Sequence, residues 1–218
     1  MITKFIFNPI SEFIVHQHYA ENKACVPTTG GATITCNGLN PPKGYKSVYS
    51  MMKGHNGLDM RAKSWEYCYA PQDGIVAEVS TEEARGLGVG IITKEKYFCT
   101  ETGKKEHFHI RHWHFWANNV NLGQEVKVGD LLGYCGSTGY SSGVHLHLEV
   151  KPVKVTWRKG KIKSFSNILH DNGFFGAVNP VPYMETEIPA IKFAGLWKQT
   201  KELAAKVADF IANQARGR

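Results

Sequence analysis

The sequence predicts an all-β core, a small antiparallel β-sandwich or barrel-like domain with long loops and a C-terminal amphipathic helix. Three observations lead there. From Gly54 to Val150, short β-prone segments are separated by turn residues such as Asp73-Gly74, Thr102-Gly103, Gly129-Asp130 and Gly136-Ser137-Thr138-Gly139. Val144 to Val150 alternates strictly between apolar and polar residues, which is strand periodicity. Helical spacing is confined to the end of the chain, where Leu196, Thr200, Leu203, Val207, Phe210 and Ile211 recur among polar residues.

Taken in order, residues 1–49 hold short apolar runs, Phe5 to Phe7 and Phe13 to Val15, that suit one or two strands. A long irregular connection follows from about Lys23 to Gly54, with Asn40-Pro41-Pro42-Lys43-Gly44 as its clearest breaker. Such loops inside a domain are often functional, and this one is expected to wall a groove. Residues 50–184 carry the main domain, with strands at Gly74 to Val79, Gly90 to Phe98, Glu106 to Trp116, Leu131 to Cys135 and Val144 to Val150. A final hairpin over 151–184 has Gly160 in its turn. Residues 185–218 are a linker and the amphipathic helix, which either packs on its own domain or meets a partner or membrane surface over 196–215.

Composition narrows the function. A chain of 218 residues with 42% hydrophobic and 21% charged residues can bury one substantial core, which excludes wholesale disorder. Lys and Arg exceed Asp and Glu by 26 to 19, so the net charge of +7 favours encounter with polyanions, yet no nucleic-acid-binding motif accompanies it. No apolar run reaches the roughly 20 residues of a membrane span, and Asn8, Pro9, Ser11 and Glu12 interrupt the N-terminus before a signal-peptide core can form. Cys25, Cys36, Cys68, Cys99 and Cys135 form no Cys-x-x-Cys pair, so cysteine is not the expected metal ligand. Cys25 and Cys36 either close a small loop or stay as thiols.

Three histidine-bearing segments carry chemistry. In Gly54-His55-Asn56-Gly57-Leu58-Asp59, an imidazole and a carboxylate four residues apart can converge on one ion, with Gly57 letting the chain turn. In Val144-His145-Leu146-His147-Leu148-Glu149-Val150, alternation puts His145, His147 and Glu149 on one face and the aliphatic residues on the core face. Glu149 there either orients a ligand or is an exposed strand residue. In His107-Phe108-His109-Ile110-Arg111-His112-Trp113-His114, alternation divides the histidines, pairing His107 with His109 and His112 with His114.

These segments occur in the order found in the M23 family of zinc metallopeptidases, the lysostaphin- and LytM-like peptidoglycan endopeptidases. His55-Asn56-Gly57-Leu58-Asp59 resembles that family's His-x-x-x-Asp element, and Tyr69 to Val76 its following strand. His112-Trp113-His114-Phe115 resembles its Tyr-x-His-Leu strand. Gly123 to Gly133, Gly136-Ser137-Thr138-Gly139, His145-Leu146-His147 and Asn179-Pro180-Val181-Pro182-Tyr183 follow in its order over about residues 50–184.

The resemblance implies that His55, Asp59 and His147 hold one zinc ion per chain, with His145 and His114 beside it as catalytic residues. Two imidazoles and one carboxylate leave a coordination position open, which marks a catalytic zinc site. No His-Glu-x-x-His glutamate is present, so the histidines must do the acid-base work. His112 stands where a tyrosine is common, and it and Glu149 are the expected supporting or substrate-binding residues. The implied reaction is hydrolysis of peptide cross-links or stem peptides of bacterial peptidoglycan, at the cell wall. With no leader seen, a phage-borne lytic or virion enzyme is one expected origin. The competing reading is a catalytically silent wall-binding or virion structural module on the same fold. A lipoyl- or biotinyl-type carrier shares the Asp-Gly turns but lacks a Met-Lys-Met-like tip.

Overall fold

Alternating β-branched and aromatic residues make nearly every described segment a strand. The computed structural model describes residues 4–20, 24–25, 34–35, 55–82, 86–170 and 172–185. Its strands are β1 (Ile6–Phe7), β2 (Val15–Gln17), β3 (Ala24–Cys25), β4 (Ile34–Thr35), β5 (Leu58–Arg61), β6 (Tyr67–Tyr69), β7 (Gly74–Ser80) and β8 (Leu87–Thr93). They continue with β9 (Tyr97–Cys99), β10 (Lys104–Asn118), β11 (Glu125–Val126), β12 (Leu131–Cys135), β13 (His145–Arg158), β14 (Lys161–Asn167) and β15 (Met184–Glu185). One 3-10 turn, Val181–Tyr183, interrupts them near the end. No helix among the described residues is long and apolar enough to cross a membrane.

The main sheet has 11 strands and runs β11-β7-β8-β10-β13-β5-β2, with β12, β6, β9 and β14 branching from it. Its neighbours are antiparallel, as expected from the turn spacing. The 15-residue β10 serves several partners in turn: β9 at its start, β8 and β13 along its middle, and β12 at its end. A sheet shared this way curls, so Leu58 on β5 and Val126 on β11, from opposite ends of the path, bury themselves in one core. β1 pairs with β15 and β2 with β5, which ties the first segment to the same unit. β3 pairs with β4 inside the long connection. The rest of that loop, with Cys36 and so the choice between a Cys25 to Cys36 link and free thiols, and the helix expected over 196–215 lie outside the described residues.

Two expected elements differ. The strand expected at Gly90 to Phe98 is two, β8 and β9, because the chain turns at residues 94–96. The hairpin expected within 151–184 uses the histidine strand itself: β13 continues through Pro152 to Arg158 and returns as β14. Pro152 is tolerated because β5 pairs with β13 only up to Leu148 and β14 only from Val153, leaving its missing N–H opposite no strand. Lys159 and Gly160, with φ of 51° and 73°, form the two-residue turn whose twist matches a hairpin.

Register decides what each face carries. Asp59 lies opposite His147, His147 opposite Trp113, and Glu149 opposite Arg111, so these side chains share one face across three strands. The reverse face takes Leu58, Met60, Leu146, Leu148, Val150, Phe108 and Ile110, all fully buried. His112 lies on that reverse face, opposite Leu148, with 0% exposure.

Candidate metal centre

The three residues implied as ligands meet at the centre of the β5-β13 pairing. His147 Nδ1 lies 2.8 Å from Asp59 Oδ1. His55 Nε2 lies 3.0 Å from His147 Nδ1 and 3.2 Å from Asp59 Oδ1. Nitrogen and oxygen ligands at tetrahedral zinc bonds of about 2.0–2.1 Å stand about 3.3–3.4 Å apart, so a slight opening of this triangle admits the ion. This is the one such cluster among the described residues, with its donor atoms all within 4.8 Å of one another. The donor set of two imidazoles and a carboxylate suits zinc.

Backbone carbonyls orient the rings. A carbonyl can only accept, so His55 Nδ1 donates to the His18 carbonyl at 3.2 Å and turns the Nε2 lone pair inward. His145 Nδ1 donates to the Gly143 carbonyl at 2.8 Å, leaving Nε2 facing Asp59 Oδ1 at 3.5 Å. His114 Nδ1 donates to the Thr138 carbonyl at 2.7 Å. The His114 ring lies 4.6 Å from that of His145 and 5.9 Å from that of His147.

His114 reaches this face through a bulge. Strict alternation would carry it to the side of His112, the pairing expected from sequence. Instead the β8 register skips one residue between Trp113 and Phe115, and His114 takes a φ of 69° in the left-handed region. The two histidines therefore separate, His114 to the site and His112 to the core. His112 donates Nδ1–H to the Val89 carbonyl at 3.1 Å, and its buried Nε2 has no partner among the described residues. It meets none of the site rings, because a core position opposite Leu148 points away from them.

The electrostatics suit a cation. Burial alone would raise Asp59, yet hydrogen bonds from His147 and His55 hold its carboxyl well below the usual range. Burial would lower His147, but the carboxylates of Asp59 and Glu149 outweigh it and lift the metal-free imidazole to about 9. Burial, then the neighbouring His145, pushes His114 down to about 4, so it is neutral at pH 7.

A buried charge network that the sequence did not announce lies behind His147. Glu149 is 4% exposed, which rules out the exposed alternative; its Oε1 lies 3.7 Å from His147 Nε2 and accepts from Asn56 Nδ2. Its Oε2 meets Arg111 Nη1, and Lys151 Nζ at 3.1 Å. Arg111 also grips Glu78 through Nε at 2.7 Å and Nη2 at 2.9 Å, while its guanidinium carbon lies 4.5 Å above the Trp113 ring. Carrying the alternation of β13 two residues past Glu149 reaches Lys151 on the same face, whereas the pairing of Arg111 to Glu149 needed the register.

Gly57 has a role different from the expected turn. Its φ is not positive, but a Cβ there would sit 2.5 Å from the Leu148 carbonyl oxygen and 2.9 Å from His147 Cε1. The glycine makes room for the ligand ring.

The burial of His112 sets a pH dependence. Burial lowers its pKa to about 4, so the unfolded chain takes up a proton between pH 6.5 and 4 that the folded one refuses. Stability present above pH 6.5 is lost as pH falls, by about 2–3 kcal/mol at pH 4.5 from this group. Urea denaturation at pH 7 and 4.5 is expected to show His112→Phe losing that much less than wild type. Equal losses would assign the acid sensitivity elsewhere.

The sequence matches peptidase family M23 over residues 53–161, a span containing His55, Asp59, His114, His145 and His147. The chain is 46% identical over 98 residues to a glycyl-glycine endopeptidase, ALE-1, of Staphylococcus capitis, covering 44% of this chain and 24% of that protein. It is 29% identical over 108 residues to the peptidoglycan DD-endopeptidase ShyC of Vibrio cholerae, covering 50% of this chain and 22% of the relative. The matches thus span less than a quarter of these curated relatives. Among solved structures, the catalytic domain of the antimicrobial peptidase lysostaphin from Staphylococcus simulans aligns with 22% identity and a TM-score of 0.46, over 78% of this chain and 91% of that one. On the strength of the family match, which takes in half of the sequence and all the histidines of the site, the chain belongs to peptidase family M23.

Proposed function

We propose that this chain is a zinc-dependent endopeptidase that hydrolyses peptide cross-links or stem peptides of bacterial peptidoglycan, acting at the cell wall. The observation that carries the proposal is the convergence of His55, Asp59 and His147 beside two further imidazoles whose Nδ1–H groups are tied to backbone carbonyls. The names of the relatives, a glycyl-glycine endopeptidase and a peptidoglycan DD-endopeptidase, support the polymer as substrate. His55 Nε2, Asp59 and His147 Nδ1 are the groups that would hold one zinc ion. When bound, zinc supplies Lewis acidity, polarising a carbonyl and bringing the pKa of water toward about 7.

The chain's own residues do the rest. Asp59 and Glu149 flank His147 with negative charge, which keeps its Nδ1 directed at the site. His114, neutral at pH 7 with Nδ1–H committed to Thr138, offers its Nε2 lone pair to take a proton from the attacking water. His145, fixed by Gly143, presents Nε2 to the same space; a proton carried there stabilises negative charge on the scissile oxygen and goes to the leaving amine, and the one His114 takes from water replaces it.

The test measures bound zinc and release of new amino termini from purified peptidoglycans of several cross-link types. About one zinc per chain with wall cleavage is expected for wild type. His145→Ala should keep its zinc while turnover falls about 100- to 10,000-fold. Zinc without cleavage of any wall would favour the silent module, and no metal would overturn the site.

A further inference from the structure

Beside the two catalytic imidazoles the surface carries stacked aromatic rings that the peptidase chemistry does not use. Trp65 and Trp116 stack with centroids 6.5 Å apart, Tyr134 lies 5.8 Å from Trp65, and Tyr67 lies 5.5 Å from Tyr134. Trp65 is 58% exposed and Tyr67 45% exposed. We infer that these rings form a stacking platform for sugar, holding the glycan strand of the substrate while its peptide enters the metal centre. The inference rests on the peptidoglycan reading.

The platform is built rather than incidental. Trp65 adopts a φ of 64°, the left-handed region that bulky residues avoid, while its backbone N–H is anchored on the Cys135 carbonyl at 2.9 Å. Trp116 donates its indole N–H to Ser64 Oγ at 3.0 Å, so one polar edge is already engaged. Gly136 lets Trp116 close down on the backbone, since a Cβ there would lie 2.6 Å from the ring. The Trp116 edge is tied, and Trp65, stacked on it and more than half exposed, has a face left to offer. An aromatic face is electron-rich and matches the weakly positive axial C–H groups of a pyranose, while the tyrosine hydroxyls can meet sugar hydroxyls at the rim.

Its place is continuous with the proposed active site. Trp116 follows His114 by two residues on β10, and Gly136, beneath Trp116, pairs with His145, which donates its N–H to the Gly136 carbonyl at 3.2 Å. A polymer lying on the rings would therefore run past both imidazoles. The occupant this location favours is the glycan to which the cleaved peptides are attached.

The test uses a β-1,4-linked N-acetylglucosamine tetramer, titrated calorimetrically into the full chain, and needs no turnover. Wild type should bind it, Trp65→Gly should bind at least ten-fold more weakly, and Trp65→Tyr should keep most of the affinity. Because glycine tolerates the left-handed backbone, Trp65→Gly should melt no lower than wild type, which separates loss of sugar binding from loss of fold. Cross-linked muropeptides with and without their disaccharides supply the second readout: KM should rise for Trp65→Gly only when the sugar is present. No tetramer binding by wild type, unchanged binding by Trp65→Gly, or an equal KM rise on sugar-free peptide would overturn the platform. Trp65-dependent tetramer binding by a protein that cleaves no wall would uphold the platform and overturn the peptidase reading.

Discussion

Asp59→Asn is expected to take zinc from about one per chain to a trace after dialysis, and wall cleavage with it. Asparagine preserves the shape of the side chain, so β5 and its pairing with His147 should persist. What disappears is the negative charge that His147 approaches to 2.8 Å and His55 to 3.2 Å. A hard carboxylate and the charge balance it would give a dication are lost together, which should exceed the roughly 10- to 100-fold cost of removing a group that merely supports a ligand. Competition titration against a chelator, with circular dichroism to confirm the fold, measures it. Zinc affinity within ten-fold of wild type would show that Asp59 is not a ligand.

Arg111→Leu should produce the largest loss of stability. Glu149 is held well below the usual carboxylate range: burial opposes ionisation, and Arg111, His147 and Lys151 overcome it. Removing Arg111 strips the side chain that bridges Glu149 to Glu78 and leaves Lys151 as the cation nearest Glu149. Breaking a buried pair from one side costs about 3–5 kcal/mol, because a charge is left where water cannot reach it. The double variant Arg111→Leu with Glu149→Leu should recover much of that loss in urea denaturation, since no lone charge remains. It should not recover metal affinity, because His147 Nε2 would still lack its carboxylate neighbour. A single-variant cost below about 1 kcal/mol would mean that Lys151 alone satisfies Glu149.

Both predictions concern side chains on one face of β5, β13 and β10, and they show how far local pattern reaches. Alternation from Val144 to Val150 assigned Val144, Leu146, Leu148 and Val150 to the core; the last three are fully buried there, while Val144, just before β13, is half-buried. The spacing of His55 and Asp59 was legible too, though weak as a signal by itself, because two donor side chains four residues apart at a strand entry are a local matter. The same rule failed for His114, since a bulge adds a residue to one strand without any mark in the hydrophobic pattern. It also missed why Gly57 is glycine: the contact is with Leu148 and His147, more than 80 residues away, and not with its own turn.

The sequence by itself determined the all-β class, the antiparallel turns and the two motifs whose residues meet at the candidate metal centre. These follow from side-chain period and residue chemistry, which are properties of neighbours along the chain. Only the tertiary structure decided that Arg111 grips Glu149, that His112 is in the core while His114 faces the site, and that Trp65 and Trp116 stack. The first two depend on register between strands distant in sequence, where a shift of one residue would turn every side chain to the opposite face, and the third on the turn at Ser64 and Trp65 being held to Cys135 and Trp116.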